Sequence, residues 1–357
     1  MAAAKLIRVN LSILRKATLH LNAHVRLHSK MLIPAITNVR QRGIFEPAYL
    51  RLLRSGELAD RARRSYQHMD NCDLCARYCR VERRQSIRGA ICRTGERAVV
   101  CSAGPHHGEE ACLSGWRGSG TIFFAWCNLR CSFCQNWEIA WRGEGQEVSD
   151  VELAEMMLRL QALGCHNINL VTPSHVVAQI LAAVKIAAEQ GLCLPLVYNT
   201  SGYDSQEALA LLDGVVDIYM PDTKYGDEKL AHKYSHVRDY VSVNQAAVRE
   251  MYRQVGDLVI NAKGLAERGL LVRHLVLPNG ISGTEKVLKF LAEEISANTY
   301  LNLMGQYRPC HRASEHPELD RPITRAEFSE ASAIAGRHGL QRLDRESVRY
   351  GDRKFDQ

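Results

Sequence analysis

Residues 121–134 of the chain read TIFFAWCNLRCSFC and decide how the sequence is interpreted. The first five residues form a short apolar run, which predicts a strand buried on both faces. Cys127, Cys131 and Cys134 follow at once, and no fourth cysteine lies nearby. Three thiolates at this spacing can bind three irons of a four-iron, four-sulfur cube and leave the fourth iron open. An open iron can bind and reduce a small molecule, so the spacing predicts a reaction centre.

Five further apolar runs follow, and stretches with helix signals separate them. Helices are predicted over 149–164, 174–191 and 205–214, with Ser149 and Ser205 as N-caps and glycine at the ends. Because parallel neighbours need crossover connections, six such units predict a parallel sheet. We expect an α/β fold with a partial (β/α)6 barrel of the TIM type, and a flat doubly wound sheet is the alternative. The strands are predicted over residues 121–125, 167–172, 194–200, 215–221, 270–277 and 299–306.

Polar residues follow several of these predicted strands at their carboxyl ends. The three-cysteine run comes after the first strand, and the segments 199–202, 222–224 and 306–307 come at or after the ends of later ones. Proteins with parallel strands carry their chemistry at this edge of the sheet. The position of the cysteines therefore supports a functional role for them.

The chain divides into four predicted segments by composition. Twelve cysteines occur in 357 residues, and their clustering indicates metal ligation in a reducing compartment rather than disulfides. The chain contains no run of eighteen apolar residues, so we expect no membrane span. The segments are a basic N-terminal arm and helix (1–65), a cysteine-rich metal-binding module (66–115), the barrel (116–310) and a C-terminal helix and tail (311–357).

The net charge of +7 is concentrated near the amino terminus. Residues 1–70 hold thirteen Lys and Arg against four Asp and Glu, so the rest is slightly acidic and gives no electrostatic case for nucleic-acid binding. The first 45 residues contain eight Lys and Arg and no acid, which suits a transit peptide, although Ser is scarce; Met31 is an alternative start. We expect a cytoplasmic protein, or an organelle-matrix protein if residues 1–30 are a transit peptide.

Cys72, Cys75, Cys79 and Cys92 form a second cysteine group with the spacing C-x2-C-x3-C-x12-C. Four thiolates can enclose one structural zinc, or they can bind a second iron–sulfur cluster that relays electrons. The spacing does not separate these two, and a closed zinc site is the preferred interpretation. The nearby segment 105–110, PHHGEE, holds two histidines and two carboxylates that could bind a metal, and a solvated turn is the preferred interpretation.

The three-cysteine run, with an aromatic residue before its last cysteine, resembles the signature of the radical S-adenosylmethionine (SAM) superfamily. The likeness covers about residues 66–310 and extends to the pyruvate formate-lyase-activating-enzyme-like (PflX-type) branch. It implies a [4Fe–4S] cluster on Cys127, Cys131 and Cys134, with SAM bound to the open iron. The reduced cluster would cleave SAM to methionine and a 5′-deoxyadenosyl radical, which abstracts hydrogen from a substrate. The stretches that carry the likeness to the branch are 118–124, 127–136, 167–173, 198–203, 217–222 and 272–278.

The resemblance also implies residues that contact SAM. Lys224 and Arg273 would bind its carboxylate, because fixed cationic donors pair well with carboxylates; an ordinary ion pair with Asp222 is the alternative. Thr200 and Ser201 would contact the ribose or methionyl part, or they could shape a turn at Gly202. Many activating enzymes carry Gly-Gly-Glu after the second strand, where this chain has 172–175, TPSH, so the contact to the SAM amino group is unassigned.

The sequence therefore predicts a radical SAM iron–sulfur enzyme with an unidentified substrate. The substrate is either a glycine in a partner protein, as for an activase, or a small molecule. The implied partners are SAM and a flavodoxin- or ferredoxin-like electron donor. Two other classes of protein are the alternatives. One is a non-catalytic iron–sulfur or zinc protein. The other is an RNA-binding protein, but the body of the chain lacks the basic residues interleaved with aromatics that such a protein needs.

Overall fold

Parallel strands form the centre of the molecule, and each strand includes residues of one of the six apolar runs. The computed structural model describes residues 45–345 and 347; most of the basic arm, with Met31, and the last ten residues of the tail lie outside them. No helix in the described ranges is long and apolar enough to cross a bilayer. The strands are β1 (Ala98–His106), β2 (Ser119–Phe124), β3 (Gln146–Val148), β4 (Ile168–Val171), β5 (Leu196–Thr200), β6 (Ile218–Pro221), β7 (Val259–Ile260), β8 (Ala266–Leu275) and β9 (Tyr300–Met304).

Helices supply the connections between the parallel strands. Short 3-10 turns occur at Pro278–Gly280 and Ala313–Glu315, and the tenth helix continues into a π-turn at Leu291–Ile295. The α-helices are α1 (Ala48–Ser55), α2 (Glu57–Gln67), α3 (Ala111–Ser114), α4 (Trp137–Arg142), α5 (Asp150–Ala162), α6 (Val177–Glu189), α7 (Gln206–Leu212), α8 (Glu228–Ser235), α9 (Tyr240–Val255), α10 (Thr284–Phe290) and α11 (Arg325–Arg337).

The sheet order confirms the predicted fold class. β2, β4, β5, β6, β8 and β9 lie side by side and run parallel. Within the described residues no ladder joins β9 to β1, β2 or β3, so the barrel is partial. Three strands that the sequence did not predict are antiparallel: β1 pairs with β2 and β3, and β7 pairs with β8. The end of the cysteine-rich module thus joins the same sheet as the barrel.

Capping residues set several helix boundaries as predicted. Ser149 and Glu152 form a capping box at the start of α5, and Ser205 accepts a hydrogen bond from the Ala208 N–H at the start of α7. The single charged helix expected before Cys72 is instead broken into α1 and α2. The break lies at Gly56, whose φ of 80° is left-handed and whose N–H donates to the Leu53 carbonyl.

The inward faces of the strands divide into an apolar floor and a polar upper part. Alternate residues along a strand share a face, so Asn199, Asp222 and Arg273 lie above Val197, Ile218 and Leu271. The short helix α3 contributes to the floor and closes it. The floor consists of the buried residues Cys112, Leu113, Val197, Ile218, Met220, Leu258, Ala266, Leu271 and Tyr300.

Candidate active site

The three-cysteine loop lies at the carboxyl end of β2, as predicted. Trp126, which precedes Cys127, has a left-handed φ of 65°, and its N–H donates to the Ile139 carbonyl at 2.9 Å. A Cβ atom on Gly143 would lie 2.1 Å from the Trp126 ring, so this glycine makes room for the turn. Cys127, Cys131 and Cys134 are half-buried. The loop therefore presents all three thiols at the mouth of the partial barrel.

The three thiols lie close enough for their charges to interact. Burial raises the pKa of Cys127 to about 11 and that of Cys134 to about 12, and the neighbouring cysteines add to both shifts. Burial also raises the pKa of Cys131. Without a metal these thiols are protonated at neutral pH, and a metal would displace the protons because it binds thiolates.

Hydrogen-bond donors already face two of the sulfur atoms. The Leu129 N–H donates to Cys127 Sγ at 3.3 Å, and Ser235 Oγ donates to Cys131 Sγ at 3.0 Å. Among the described residues, no three Cys, His, Asp or Glu side chains converge on a point where one ion would bind. In a cube each thiolate binds a different iron, so its ligands need not converge on one ion. Soft, partly shielded thiols with sulfur-directed donors fit an iron–sulfur cluster.

Lys224 and Arg273 lie beside the loop and share one carboxylate. Lys224 Nζ is 2.5 Å from Asp222 Oδ2, and Arg273 Nε is 2.7 Å from Asp222 Oδ1. Arg273 Nη2 also donates to Asn199 Oδ1 at 2.7 Å. The ion pair considered as the alternative is therefore present, and it binds both cations. Asp222 therefore holds both cations in place, and Lys224 is the one that also acts on the cysteines.

Electrostatics place Lys224 next to the cysteines. Burial alone would lower its pKa, but the Asp222 carboxylate outweighs burial and the Lys224 pKa is raised. The Lys224 charge lowers the pKa of all three cysteines, partly offsetting the effect of burial. Burial opposes ionisation of Asp222, but Arg273 and Lys224 hold its pKa below the usual value. All three groups are therefore charged at neutral pH.

Thr200 and Ser201, predicted to contact SAM, take part in a turn. Thr200 Oγ1 donates to Asp204 Oδ2 at 2.7 Å and accepts from the Gly202 N–H at 3.1 Å. Ser174 Oγ lies 2.9 Å from the same hydroxyl. Ser201 Oγ donates to Asn128 Oδ1 at 3.4 Å and is only half-buried. Thr200 thus shapes the Gly202 turn, whereas Ser201 lies beside the loop.

Two acidic residues inside the barrel are functional candidates that the sequence interpretation missed. Segment 105–110 is not wholly a solvated turn: it leaves β1 after His106 and brings Glu109 and Glu110 into the interior. The Glu109 side chain is 8% exposed and Glu110 is 4% exposed. Asn302 Nδ2 donates to Glu110 Oε1 at 2.8 Å, whereas Glu110 Oε2 is buried with no hydrogen-bond partner among the described residues.

Burial raises the pKa of both glutamates, and the Arg273 charge opposes the shift. Arg273 is already paired with Asp222, so the interior holds more carboxylate than it can balance. The signal that could have revealed these residues is the run Ala111-Cys112-Leu113 directly after them, which draws the chain inward onto the apolar floor. We call the cluster of Glu109, Glu110, Asn169, Asn302 and Arg273 the interior polar site.

We expect Glu110→Gln to stabilise the protein at alkaline pH. A carboxyl whose native pKa is raised destabilises the folded protein once pH rises above its unfolded pKa, so the variant should be more stable than wild type near pH 8. Urea unfolding at several pH values measures this gain. Glu155→Gln, at an exposed helix position, is the control. An equal gain near pH 3 would contradict the assignment, because Glu110 should then be neutral in both states.

The upstream cysteines also lie together, around a buried arginine. Arg83 is 2% exposed, and its Nη1 donates to Cys72 Sγ at 3.7 Å. The Cys79 thiol hydrogen-bonds Cys72 and thereby lowers the pKa of Cys72. Burial raises the pKa of Cys75 to about 12, and Cys92 and Cys72 lie close enough to contribute to this rise. The structure therefore brings the four predicted ligands into one group.

Fold and site together define an α/β partial-barrel protein with a thiol loop at the mouth of the barrel. The chain belongs to the radical SAM superfamily, whose sequence profile matches residues 121–255. An uncharacterized protein of Methanocaldococcus jannaschii is 30% identical over 282 residues, which cover 76% of this chain and 75% of that protein. Membership makes the chain a radical SAM enzyme that uses a [4Fe–4S] cluster, SAM and an external electron donor.

Two solved structures overlap this fold in part. A radical SAM methyltransferase from Sphaerobacter thermophilus matches at a TM-score of 0.43 and 16% identity, over 65% of this chain and 68% of that one. A structure of TYW1 with a lysine–pyruvate adduct matches at a TM-score of 0.38 and 10% identity, over 61% and 73%. Overlaps of this extent leave the family assignment to the sequence matches.

Proposed function

We propose that Cys127, Cys131 and Cys134 hold the [4Fe–4S] cluster and that the enzyme abstracts hydrogen from a substrate in the interior polar site. When bound, the cluster supplies the electron that cleaves SAM to methionine and a 5′-deoxyadenosyl radical. The observation that carries the proposal is the position of three neighbouring thiols beside Lys224, above a buried polar interior. The burial of this interior excludes water from a reactive species.

In this proposal Lys224 and Arg273 orient SAM. Their positive charges attract the SAM carboxylate, and Asp222 keeps both cations in fixed positions. Ser201, half-buried beside Asn128, is placed to contact the ribose or methionyl part. Thr200 acts indirectly because its hydroxyl already has partners in Asp204, Ser174 and the Gly202 N–H.

The interior polar site favours a small substrate with hydrogen-bond donors. Glu110 Oε2 is an unused buried acceptor, and the carboxylates there outnumber their free counter-charges. An amine or hydroxyl group would satisfy both conditions. The alternative of an activase acting on a glycine in a partner protein rests on the resemblance of residues 118–136 to the activating-enzyme-like branch.

The test is SAM cleavage by anaerobically purified, reconstituted protein. After reduction with dithionite, addition of SAM should yield methionine and 5′-deoxyadenosine in equal amounts, measured by liquid chromatography. Glu110→Gln should retain this substrate-free cleavage, because Glu110 contacts substrate and not SAM. Zinc in place of iron, or an intact cluster that gives no nucleoside, would contradict the proposal and favour a non-catalytic metal protein.

A further inference from the structure

The cysteine-rich module packs directly against the three-cysteine loop. Arg77, two residues after Cys75, donates from Nε to the Asn128 carbonyl at 2.6 Å. Asn128 is the residue after Cys127. From the other side, Arg130 Nη2 donates to the Ile91 carbonyl, next to Cys92. Two hydrogen bonds therefore join the residues that flank the two cysteine groups.

Electrostatic contacts place the two groups within short range of each other. The Cys127 and Cys92 thiols both oppose the lowering of the Arg130 pKa that burial causes, so Arg130 lies near a cysteine of each group. Arg77 acts on Cys131 in the same way and lowers its pKa against burial. One route from Cys75 to Cys127 crosses Ala76, the Arg77 side chain, one hydrogen bond and one peptide unit.

Arg83 places a buried positive charge beside the upstream group. The guanidinium is buried and donates to the carbonyls of Thr94 at 2.7 Å and His175 at 2.8 Å, as well as to Cys72 Sγ. Within the described residues it forms no ion pair with Asp or Glu. A buried cation without a carboxylate needs another anion close by, and a metal cluster bound by the four cysteines would supply it. Positive charge and donors near sulfur also raise the reduction potential of a cluster.

We propose that Cys72, Cys75, Cys79 and Cys92 hold a second [4Fe–4S] cluster that passes electrons to the three-cysteine cluster. One electron from a flavodoxin- or ferredoxin-like donor reduces the upstream cluster, which is oxidised again when it transfers that electron onward. The three-cysteine cluster then transfers this electron to one SAM molecule, which is cleaved. This role rests on the proposed function and replaces the zinc site that the spacing favoured.

The surface of the module suits an acidic electron donor. Residues 77–97 contain seven Arg and two Glu, and Arg88 and Arg93 are exposed without an acidic partner in the described part of the chain. Ile87 is 46% exposed and Ile91 is 37% exposed beside them. Cys79 is the only half-buried member of an otherwise buried group, so the cluster edge faces the surface there. Basic residues around an apolar patch steer and seat an acidic protein.

Metal content after anaerobic reconstitution tests the site. The wild type should bind about eight irons, and both Cys75→Ala/Cys92→Ala and Cys127→Ala/Cys131→Ala/Cys134→Ala should bind about four. The triple variant should also show the electron paramagnetic resonance signal of a reduced [4Fe–4S] cluster. This result does not depend on whether the double variant folds. One zinc and about four irons in the wild type would overturn the relay and leave the proposed function intact.

The choice of reductant tests the role. With a reduced ferredoxin as donor, Cys75→Ala/Cys92→Ala should cleave SAM at least about 100-fold more slowly than wild type, because the entry cluster is missing. With dithionite, which can reduce the remaining cluster directly, the two rates should agree within about threefold. Equal losses with both reductants would overturn the relay. No 5′-deoxyadenosine from the wild type with either reductant would instead mean that the proposed function fails.

Charge reversal at Arg88 tests the docking surface away from the cysteine ligands. Arg88→Glu should raise the KM for ferredoxin by about threefold and leave dithionite-driven cleavage unchanged. Arg325→Glu, at an exposed position of α11, is the matched control and should change neither rate. An unchanged KM for ferredoxin in Arg88→Glu would overturn electron entry at this surface.

Discussion

Replacement of any one of Cys127, Cys131 and Cys134 with Ala should lower 5′-deoxyadenosine formation by at least about 100-fold. Loss of a partner that only orients a metal ligand already costs this much, and here the ligand itself is removed. The protein offers no substitute thiol in the loop, because the cysteines on either side of it in the sequence are Cys112 and Cys165. Both are buried elsewhere: Cys112 lies in the apolar floor and Cys165 in the main core.

The measurement pairs product formation with iron content after reconstitution. Cys193→Ala is the matched control, because Cys193 is exposed and has no role in either cysteine group. It should retain both iron and activity. A loop variant that retains full SAM cleavage would contradict the cluster assignment. Loss of activity with full iron content would show that the replaced cysteine does not bind the cluster.

The six parallel strands could be predicted because each is buried on both faces. Such strands appear as short continuous apolar runs, and residues 168–171 and 218–221 are buried at every position. The N-caps at Ser149 and Ser205 are also local signals, and both are present. The place of the three-cysteine loop at the carboxyl end of β2 could also be predicted, because the cysteines come directly after that strand in the sequence.

The interior polar site could not be predicted, because it depends on contacts between distant segments. Asn302 reaches Glu110 across 192 residues, and Arg273 reaches Asn199 across 74. β1 has exposed residues over much of its length and was therefore not recognised as a strand. Without β1, the short apolar run that follows Glu109 and Glu110 is not enough to place them inside the barrel.

Only part of the charge pairing could be predicted from the sequence. Lys224 lies two residues from Asp222, which suggests an ion pair between them, but the sequence does not show that Asp222 also binds Arg273 on β8. The separation of α1 from α2 depends on the left-handed conformation of Gly56. The charged residues on both sides of Gly56 suit a single helix, so the break is not evident from the sequence. In both cases the outcome depends on geometry that neighbouring residues do not determine.

Asp222→Asn should lower the free energy of unfolding by about 3 kcal/mol or more, because two buried cations lose their common carboxylate. Guanidinium chloride unfolding of the reconstituted protein measures this loss. Asp227→Asn, which keeps the N-cap acceptor of α8 and removes only its charge, should cost about 1 kcal/mol or less and is the control. The native pKa of Asp222 is lowered, so its contribution is complete above the unfolded pKa and disappears as pH falls below about 4. The two proteins should therefore converge in stability at acidic pH.

The same variant distinguishes a SAM site from a simple ion pair. If Lys224 and Arg273 hold the SAM carboxylate, SAM supplies the anion that Asp222→Asn lacks. The rise in Tm on addition of SAM should then be larger for the variant than for wild type, because binding also relieves two unpaired buried charges. Lys224→Met/Arg273→Met should lose most of the SAM-dependent rise even with a full cluster. An equal rise in Asp222→Asn and wild type, together with an unchanged rise in the double variant, would restrict these residues to a structural role and move the carboxylate contact elsewhere at the mouth of the barrel.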